Sequence, residues 1–380
     1  MKYYGCYVPN KRKLKELVSF GLGLTYTPRY LANGIPFISS KNISNDYLDL
    51  SDINFISLDE FNGCSKSAKP KYGDILFTRV GSNLGHPVVY ESTNDICIFV
   101  SLGFLRCKDL INNYYLKHWM NSPNFWQQVR KKVGGSSKFN LNTGWLQEFD
   151  VPYRDFEEQQ KIAFFLNKID ERIRTQNKII EDLKTLRKGI IDSLFKPSKS
   201  EEQLSKFLSE RKTYSEKGEG FEHVTLSKEG ICPKTERYDR DFLVTTEDKN
   251  YKITKLNDIC YNPANLKFGV ICLNTYGDAI FSPIYVTFEV KNIDPYYLSL
   301  FLTSNRFIKK ALRYQQGTVY ERMAVNPEDF CKCKIPLNDN VTIQQITKVV
   351  SLLDSKIKVE ENIIQKYRIQ KDCLLSNLFI

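Results

Sequence analysis

An internal repeat at a fixed offset of 184 residues constrains this chain more than any other feature of its sequence. Pro152, Asp155, Gln160, Ile162, Asp170, Ile173, Ile179, Ile180, Leu194 and Phe195 recur as Pro336, Asp339, Gln344, Ile346, Asp354, Ile357, Ile363, Ile364, Leu378 and Phe379. Asp74-Ile75 returns at the same offset as Asp258-Ile259. Two copies of one unit follow, and with them the expectation of approximate two-fold symmetry.

Within each copy the clearest pattern is a seam at alternating spacings of four and three. The first runs through Ile162, Leu166, Ile169, Ile173, Gln176, Ile180, Leu183, Arg187, Ile190 and Leu194. The second runs through Ile346, Val350, Leu353, Ile357, Glu360, Ile364, Tyr367, Lys371, Leu374 and Leu378. Such heptads predict long helices that wrap around a partner. Both seams are interrupted at the same two positions, by Gln176 and Arg187 and by Glu360 and Lys371. Polar groups there either fix register and partner choice or snorkel at a loosely packed edge. Pro152 and Pro336 read as helix start signals. The simplest arrangement packs the two helices antiparallel, with a globular domain at each end. A helix from Ile162 to Leu194 is about 48 Å long, nearly one and a half turns of B-DNA at about 34–36 Å per turn.

A chain of 380 residues can bury two or three cores. It holds no run of about 18 apolar residues, which argues against a membrane-spanning helix. Its first residues lack the apolar stretch of a signal peptide, so a cytoplasmic protein is expected. The ten cysteines have no framework spacing and are expected to be buried thiols. The net charge of +11 is uneven: residues 1–150 carry 18 Lys and Arg against 12 Asp and Glu, and residues 196–334 carry 22 against 19. Each repeat segment is within one charge of neutral. Positive charge thus sits outside the helices, as expected of surfaces that face a polyanion, although it also serves plain solubility.

Outside the seams the halves share an order of elements but little sequence. Lys71-Tyr72-Gly73-Asp74-Ile75-Leu76-Phe77-Thr78-Arg79 reads as a turn entering a buried strand, followed by a glycine loop at Gly81–Gly85. Further strands are expected at Val88–Tyr90 and Ile96–Val100. The second half offers Leu256–Asn262, then strands near Gly269–Leu273, Ala279–Phe281 and Tyr285–Val290. Tyr114-Tyr115-Leu116 and Tyr296-Tyr297-Leu298 open helical stretches that end in basic residues and a small-residue loop. These ends are Arg130–Lys138 and Lys309–Thr318. Cations beside small residues suit close approach to phosphates, and Arg, Gln, Asn and Ser also read base edges. A solvated helix C-terminus, where the dipole favours lysine and arginine, is the plainer reading of either loop alone.

These residues resemble the specificity (S) subunits of type I restriction–modification systems, across essentially the whole chain. The resemblance rests on Tyr72–Arg79, Asn121-Ser122-Pro123, Glu157-Glu158-Gln159-Gln160-Lys161-Ile162-Ala163 and Leu166–Ile173, with Asp258–Pro263 and Asp294–Leu298 in the second half. It implies two target-recognition domains, each reading half of a split DNA site, and an antiparallel coiled coil that sets their spacing. It also implies two methyltransferase (M) subunits held by that coil, with S-adenosylmethionine bound on them and not on this chain. A restriction (R) subunit joins in systems that carry one. The second helix departs from the pattern, since Val341-Thr342-Ile343-Gln344-Gln345-Ile346 replaces the Glu-Glu-Gln opening.

No catalytic constellation stands out. Asn262-Pro263-Ala264-Asn265 lacks the second proline and the aromatic of the amino-methyltransferase motif, and Gly21-Leu22-Gly23 is only a fragment of a cofactor loop. Cys331-Lys332-Cys333 has no neighbouring second ligand pair, and His86, His118 and His223 are isolated. No clustered carboxylates with a lysine suggest nuclease chemistry.

The expected fold is α+β: two target-recognition domains of mixed sheet and short helices, related by pseudo-two-fold symmetry and joined by an antiparallel two-helix coiled coil. Its parts are residues 1–150 and 196–334 for the domains and 151–195 and 335–380 for the helical regions. The expected function is non-catalytic reading of a bipartite DNA target. Candidate DNA contacts are Arg79, Ser82, Asn83, Arg130, Lys131, Ser136, Ser137 and Lys138, then Asn262, Lys267, Arg313, Gln315, Gln316, Thr318 and Arg322. The apolar members of the two seams are the candidate coiled-coil interface, and no metal is expected. The alternatives are a scaffold whose globular domains bind peptides and a stand-alone sequence-specific DNA binder.

Overall fold

The computed structural model describes residues 10–44, 47–80, 84–133, 140–195, 201–216, 220–234, 250–315 and 323–380. The chain divides into two compact units, one of residues 1–178 with 360–380 and one of residues 179–359.

In the first unit, β1 (Asn10–Lys13), β2 (Val18–Leu22), β3 (Ile75–Thr78), β4 (Gly85–Val89) and β5 (Leu102–Cys107) precede α1 (Asn113–Met120) and α2 (Pro123–Val133). Then come β6 (Asp150–Tyr153) and the first part of a 39-residue helix, α3 (Phe156–Leu194). The main sheet is antiparallel in the order β2-β5-β3-β4, and β1 pairs with β6. All four residues of β3 are buried because the sheet is covered on both faces. Side chains alternate across a strand, so Ile75 and Phe77 join the core around Tyr115 and Trp119, while Leu76 joins a separate core with Ile38 and Tyr90. A smaller sheet centres on Ile35–Ile38, antiparallel to Asn54–Ile56 and parallel to Cys97–Ile98.

In the second unit, β7 (Glu201–Gln203), β8 (Leu208–Glu210), β9 (Ile259–Tyr261), β10 (Ile271–Leu273) and β11 (Val286–Val290) precede α4 (Pro295–Leu302) and α5 (Asn305–Ala311). Next come β12 (Lys334–Pro336) and the first part of α6 (Asn340–Leu378). The order β8-β11-β9-β10 matches that of the first unit, and β7 pairs with β12 as β1 does with β6. Ile259 and Tyr261 again face one core and Cys260 another.

The repeated Asp-Ile has a physical explanation. Gly73 (φ 87°) and Asn257 (φ 68°) take the left-handed conformation that turns the chain into the strand. The aspartate that follows accepts the amide three residues upstream, Lys71 to Asp74 at 2.7 Å and Lys255 to Asp258 at 2.8 Å. Each buried carboxylate is also held by both arms of an arginine, Arg106 on Asp74 and Arg211 on Asp258, at 2.6–2.9 Å. Buried charge is tolerated here because it is paired and hydrogen-bonded.

The prolines do not start the helices. Pro152 pairs with Lys11 in β6 and Pro336 with Glu201 in β12. The helix caps are the repeated aspartates: Asp155 accepts the Glu158 amide at 2.8 Å and Asp339 the Thr342 amide at 2.9 Å. Two strands are also shorter than expected. Gly269 (φ 79°) closes the 3-10 turn Leu266–Phe268 and delays β10 to Ile271, and Ile96–Val100 contracts to Cys97–Ile98. Among the described residues no helix is long and apolar enough to cross a membrane.

Candidate nucleic-acid interface and helix seam

In each unit one backbone hydrogen bond clamps the stretch that follows the buried strand to the stretch that follows the basic helix. The Leu141 amide donates to the Arg79 carbonyl at 2.9 Å, and the Val325 amide to the Pro263 carbonyl at 3.2 Å. The offset of 184 carries both donor and acceptor from one bond to the other. In the first unit Val80 also bridges to Asn140. In the second, the Gln315 side chain donates to the Met323 carbonyl at 2.9 Å.

Ser82, Asn83, Ser136, Ser137, Lys138, Gln316, Thr318 and Arg322 lie outside the described residues. Arg79 is half-buried, and its guanidinium donates to the Leu141 and Val100 carbonyls, both at 3.3 Å. It fixes the base of the two stretches. Asn262 is buried, and its oxygen accepts the Ala264 and Asn265 amides at 3.1 and 3.2 Å, closing a turn. By contrast Arg130 and Lys131 are exposed on the last turn of α2. Phe125 and Val129 bury the opposite face of that helix. Lys267 is exposed, its ammonium 5.0 Å from the Phe268 ring. Arg313 is exposed beside a hollow of about 400 Å³ that it lines with Arg306, Lys309 and Lys310. Apart from Lys267, the exposed candidate cations therefore sit at the ends of the basic helices.

Both long helices contribute to each unit. Ile162, Leu166 and Ile169 of α3 share the first core with Leu375 of α6 and Phe379 just past its end, and Ile173, Leu374 and Leu378 pack against it. Val350 of α6 shares the second core with Ile191 of α3 and Phe195 just past its end, with Ile190, Leu194 and Ile346 against it. Every residue of the two seams is buried or half-buried, including Ile180, Leu183, Leu353, Ile357, Ile364 and Tyr367. In each unit the helices run in opposite directions, as partners show: Asp170 with Lys371 and Gln176 with Glu360 in one, Arg187 with Asp354 in the other.

The polar seam residues are partnered. Gln176 and Glu360 are buried and hydrogen-bonded to each other. Asp170 accepts Lys371 at 2.7 Å and, from α1, Lys117 at 3.0 Å. In the second unit Asp354 accepts Arg187 and, from α4, the Tyr296 hydroxyl at 2.7 Å. Burial works to raise the Asp170 carboxyl, but Lys117 and Lys371 outweigh it and hold the group at about 2. Next to it, burial and then Lys117 push His118 down to about 3, so the ring is neutral. Its Nε2–H donates to Asn167 Oδ1 at 2.8 Å, while Nδ1 has no hydrogen-bond partner among the described residues.

Sequence reasoning missed several anchors. Tyr115 donates its hydroxyl to the Pro152 carbonyl at 2.7 Å, and Tyr297 to that of Pro336 at 3.4 Å. Their recurrence at an offset of 182 was the available signal. Gln159 is fully buried, accepts the Asn112 amide at 2.8 Å and donates to the Arg154 carbonyl at 2.9 Å. Its counterpart Ile343 packs against the second apolar core instead, and Asn338 donates to Tyr297 at 3.0 Å. Among the described residues no three His, Cys, Asp or Glu side chains gather to hold a metal.

Residues 10–185 match the family described as Type I restriction modification DNA specificity domain. The chain is 24% identical to a putative type I restriction enzyme MjaX specificity subunit of Methanocaldococcus jannaschii, over 95% of this chain and 89% of that one. It is 29% identical to the type I restriction enzyme MjaIX specificity subunit of the same organism, over 50% of this chain and 45% of that one. Its fold is similar to the crystal structure of a type I restriction–modification S subunit from M. genitalium, with a TM-score of 0.60 at 16% identity, covering 100% and 98% of the two chains. A chain from a study of type I R-M complex assembly gives 0.56 at 12% identity, covering 98% of each.

Proposed function

Because residues 10–185 match the type I restriction modification DNA specificity family and the chain is 24% identical to a putative specificity subunit over 95% of its length, we propose that it belongs to that family and is the non-catalytic subunit that reads a bipartite DNA target. Each unit presents one recognition surface, built on the clamped stretches and the exposed cations at the ends of α2 and α5. α3 and α6 form an antiparallel coiled coil that relates the units by a pseudo-dyad, fixes the gap between half-sites and carries methyltransferase subunits. Those subunits bring S-adenosylmethionine and flip the target adenine. The observation that carries this reading is the clamp from Leu141 to Arg79, which recurs from Val325 to Pro263. One mount is used twice, on stretches of unrelated sequence.

Phosphate contacts from Arg130, Lys131, Lys267 and Arg313 position each unit without carrying sequence information, and base contacts from the mounted stretches supply it. The test is a heptad inserted into both α3 and α6. It lengthens the pair by about 10 Å, so the preferred half-site gap should widen by about three base pairs. The readout is selection from duplexes of graded spacer length, in the presence of methyltransferase subunits. An unchanged gap removes the ruler role. Protein partners that persist without any duplex preference would point to a scaffold instead.

A further inference from the structure

We propose that Gln176 and Glu360 select the kind of partner each long helix takes, so that α3 pairs with an α6 and α6 rejects a second α6. The inference rests on the helix pairing alone and would stand if the DNA reading failed.

Both seams descend from one repeat, so each helix is shaped to receive a copy of itself. The offset of 184 carries Asp170 to Asp354, Arg187 to Lys371 and Gln176 to Glu360. The observed partners are Asp170 with Lys371 and Arg187 with Asp354. Homotypic exchange between two chains would pair α3 with α3 and α6 with α6 in the same register. Asp170 would then meet Arg187, and Asp354 would meet Lys371. An acid still meets a base, so these ion pairs do not discriminate.

The remaining polar position does. Gln176 and Glu360 are both buried, and the amide of one donates to the carboxylate of the other. Between two α3 helices this place holds two amides, which can hydrogen-bond to each other. Between two α6 helices it holds two carboxylates, neither able to donate when ionised. Like charges brought together out of water oppose association. Homotypic exchange needs both pairings at once, so the cost at Glu360 blocks that exchange as a whole. Buried polar residues at seam positions are a known means of setting partner and register.

The experiment uses the full chain in four forms: unaltered, Gln176→Glu, Glu360→Gln and the swapped pair Gln176→Glu/Glu360→Gln. Each is unfolded, refolded over a range of concentrations, and followed by thermal unfolding and light scattering after size exclusion. Gln176→Glu sets two carboxylates against each other within one chain and should lower Tm by several degrees. The swapped pair should recover most of that loss. Glu360→Gln should keep its Tm and yield a larger dimer fraction at high concentration than the unaltered chain. A swapped pair no more stable than Gln176→Glu overturns the proposal. So does a Glu360→Gln protein whose dimer fraction matches that of the unaltered chain.

Discussion

Phe379 packs its ring 5.0 Å from that of Tyr115, while Phe195, its counterpart in the repeat, lies 5.3 Å from Tyr297. Each unit's buried tyrosine is thus met by the end of the helix that belongs to the other copy. The same tyrosines donate to the carbonyls of Pro152 and Pro336, at the entrance of that unit's own helix. One side chain therefore ties the start of one long helix to the end of the other. Tyr115→Phe keeps the ring packing and removes only the hydroxyl bond, which is worth about 1 kcal/mol. Urea unfolding should show a shift of that size, and a loss several times larger would mean the ring itself had moved.

Asp170 and Asp354 differ in how far they are shielded from water. The side chains around Asp170 are 11–15% exposed, whereas Arg187 and Asp354 are 32% and 38% exposed. Asp170→Asn removes the carboxylate that two shielded lysines share and should cost about 3–5 kcal/mol. Asp354→Asn acts on a wetter pair and should cost about 1 kcal/mol. Chemical denaturation of the two variants checks the order, and equal losses would contradict it.

Acid should weaken the first unit in two steps. His118 is protonated near pH 6.5 in an unfolded chain but resists protonation down to about 3 when folded. Its contribution is therefore complete above pH 6.5 and is lost as pH falls from there towards 3. Asp170 follows the same sign in a lower window: its stabilisation is present above the ordinary carboxylate range and disappears as pH falls towards about 2. His118→Gln should flatten the fall in stability between pH 6.5 and 4.5, measured by denaturation at several pH values. An unaltered slope would place the acid sensitivity elsewhere.

The candidate cations separate into two classes by experiment. Arg130→Ala and Lys131→Ala remove exposed side chains, so Tm should stay constant. DNA affinity should fall, with the salt slope shrinking by about one for each phosphate left without its cation. Arg79→Ala removes the donors held by the Leu141 and Val100 carbonyls and should lower Tm as well as binding. Titrations at several salt concentrations, beside thermal scans, distinguish the two. A constant Tm for Arg79→Ala would mean its carbonyl contacts do not hold the unit together.

Legibility followed how local each signal was. The heptads of α3 and α6 were plain because a helix repeats its burial every three or four residues, and that periodicity survives divergence. Asp155 and Asp339 were visible as repeated residues, yet the nearby prolines drew the helix start four residues too early. The strand pairing that claims Pro152 and Pro336 is long-range. Gln176 and Glu360 stood out as interruptions, but only their mutual hydrogen bond removes the snorkelling alternative. Arg79 and Asn262 resemble contact residues by type and by neighbourhood. What sets their geometry is backbone 62 and 21 residues away for Arg79, and a turn only two or three residues away for Asn262.

The clamps from Leu141 to Arg79 and from Val325 to Pro263 grip main chain and not side chain. A mount of that kind is indifferent to the identity of what it carries. Side-chain substitutions leave a backbone donor and acceptor in place. If each unit reads half of a DNA target as proposed, a new preference can arise in one half while the bond that anchors the other stays as it is.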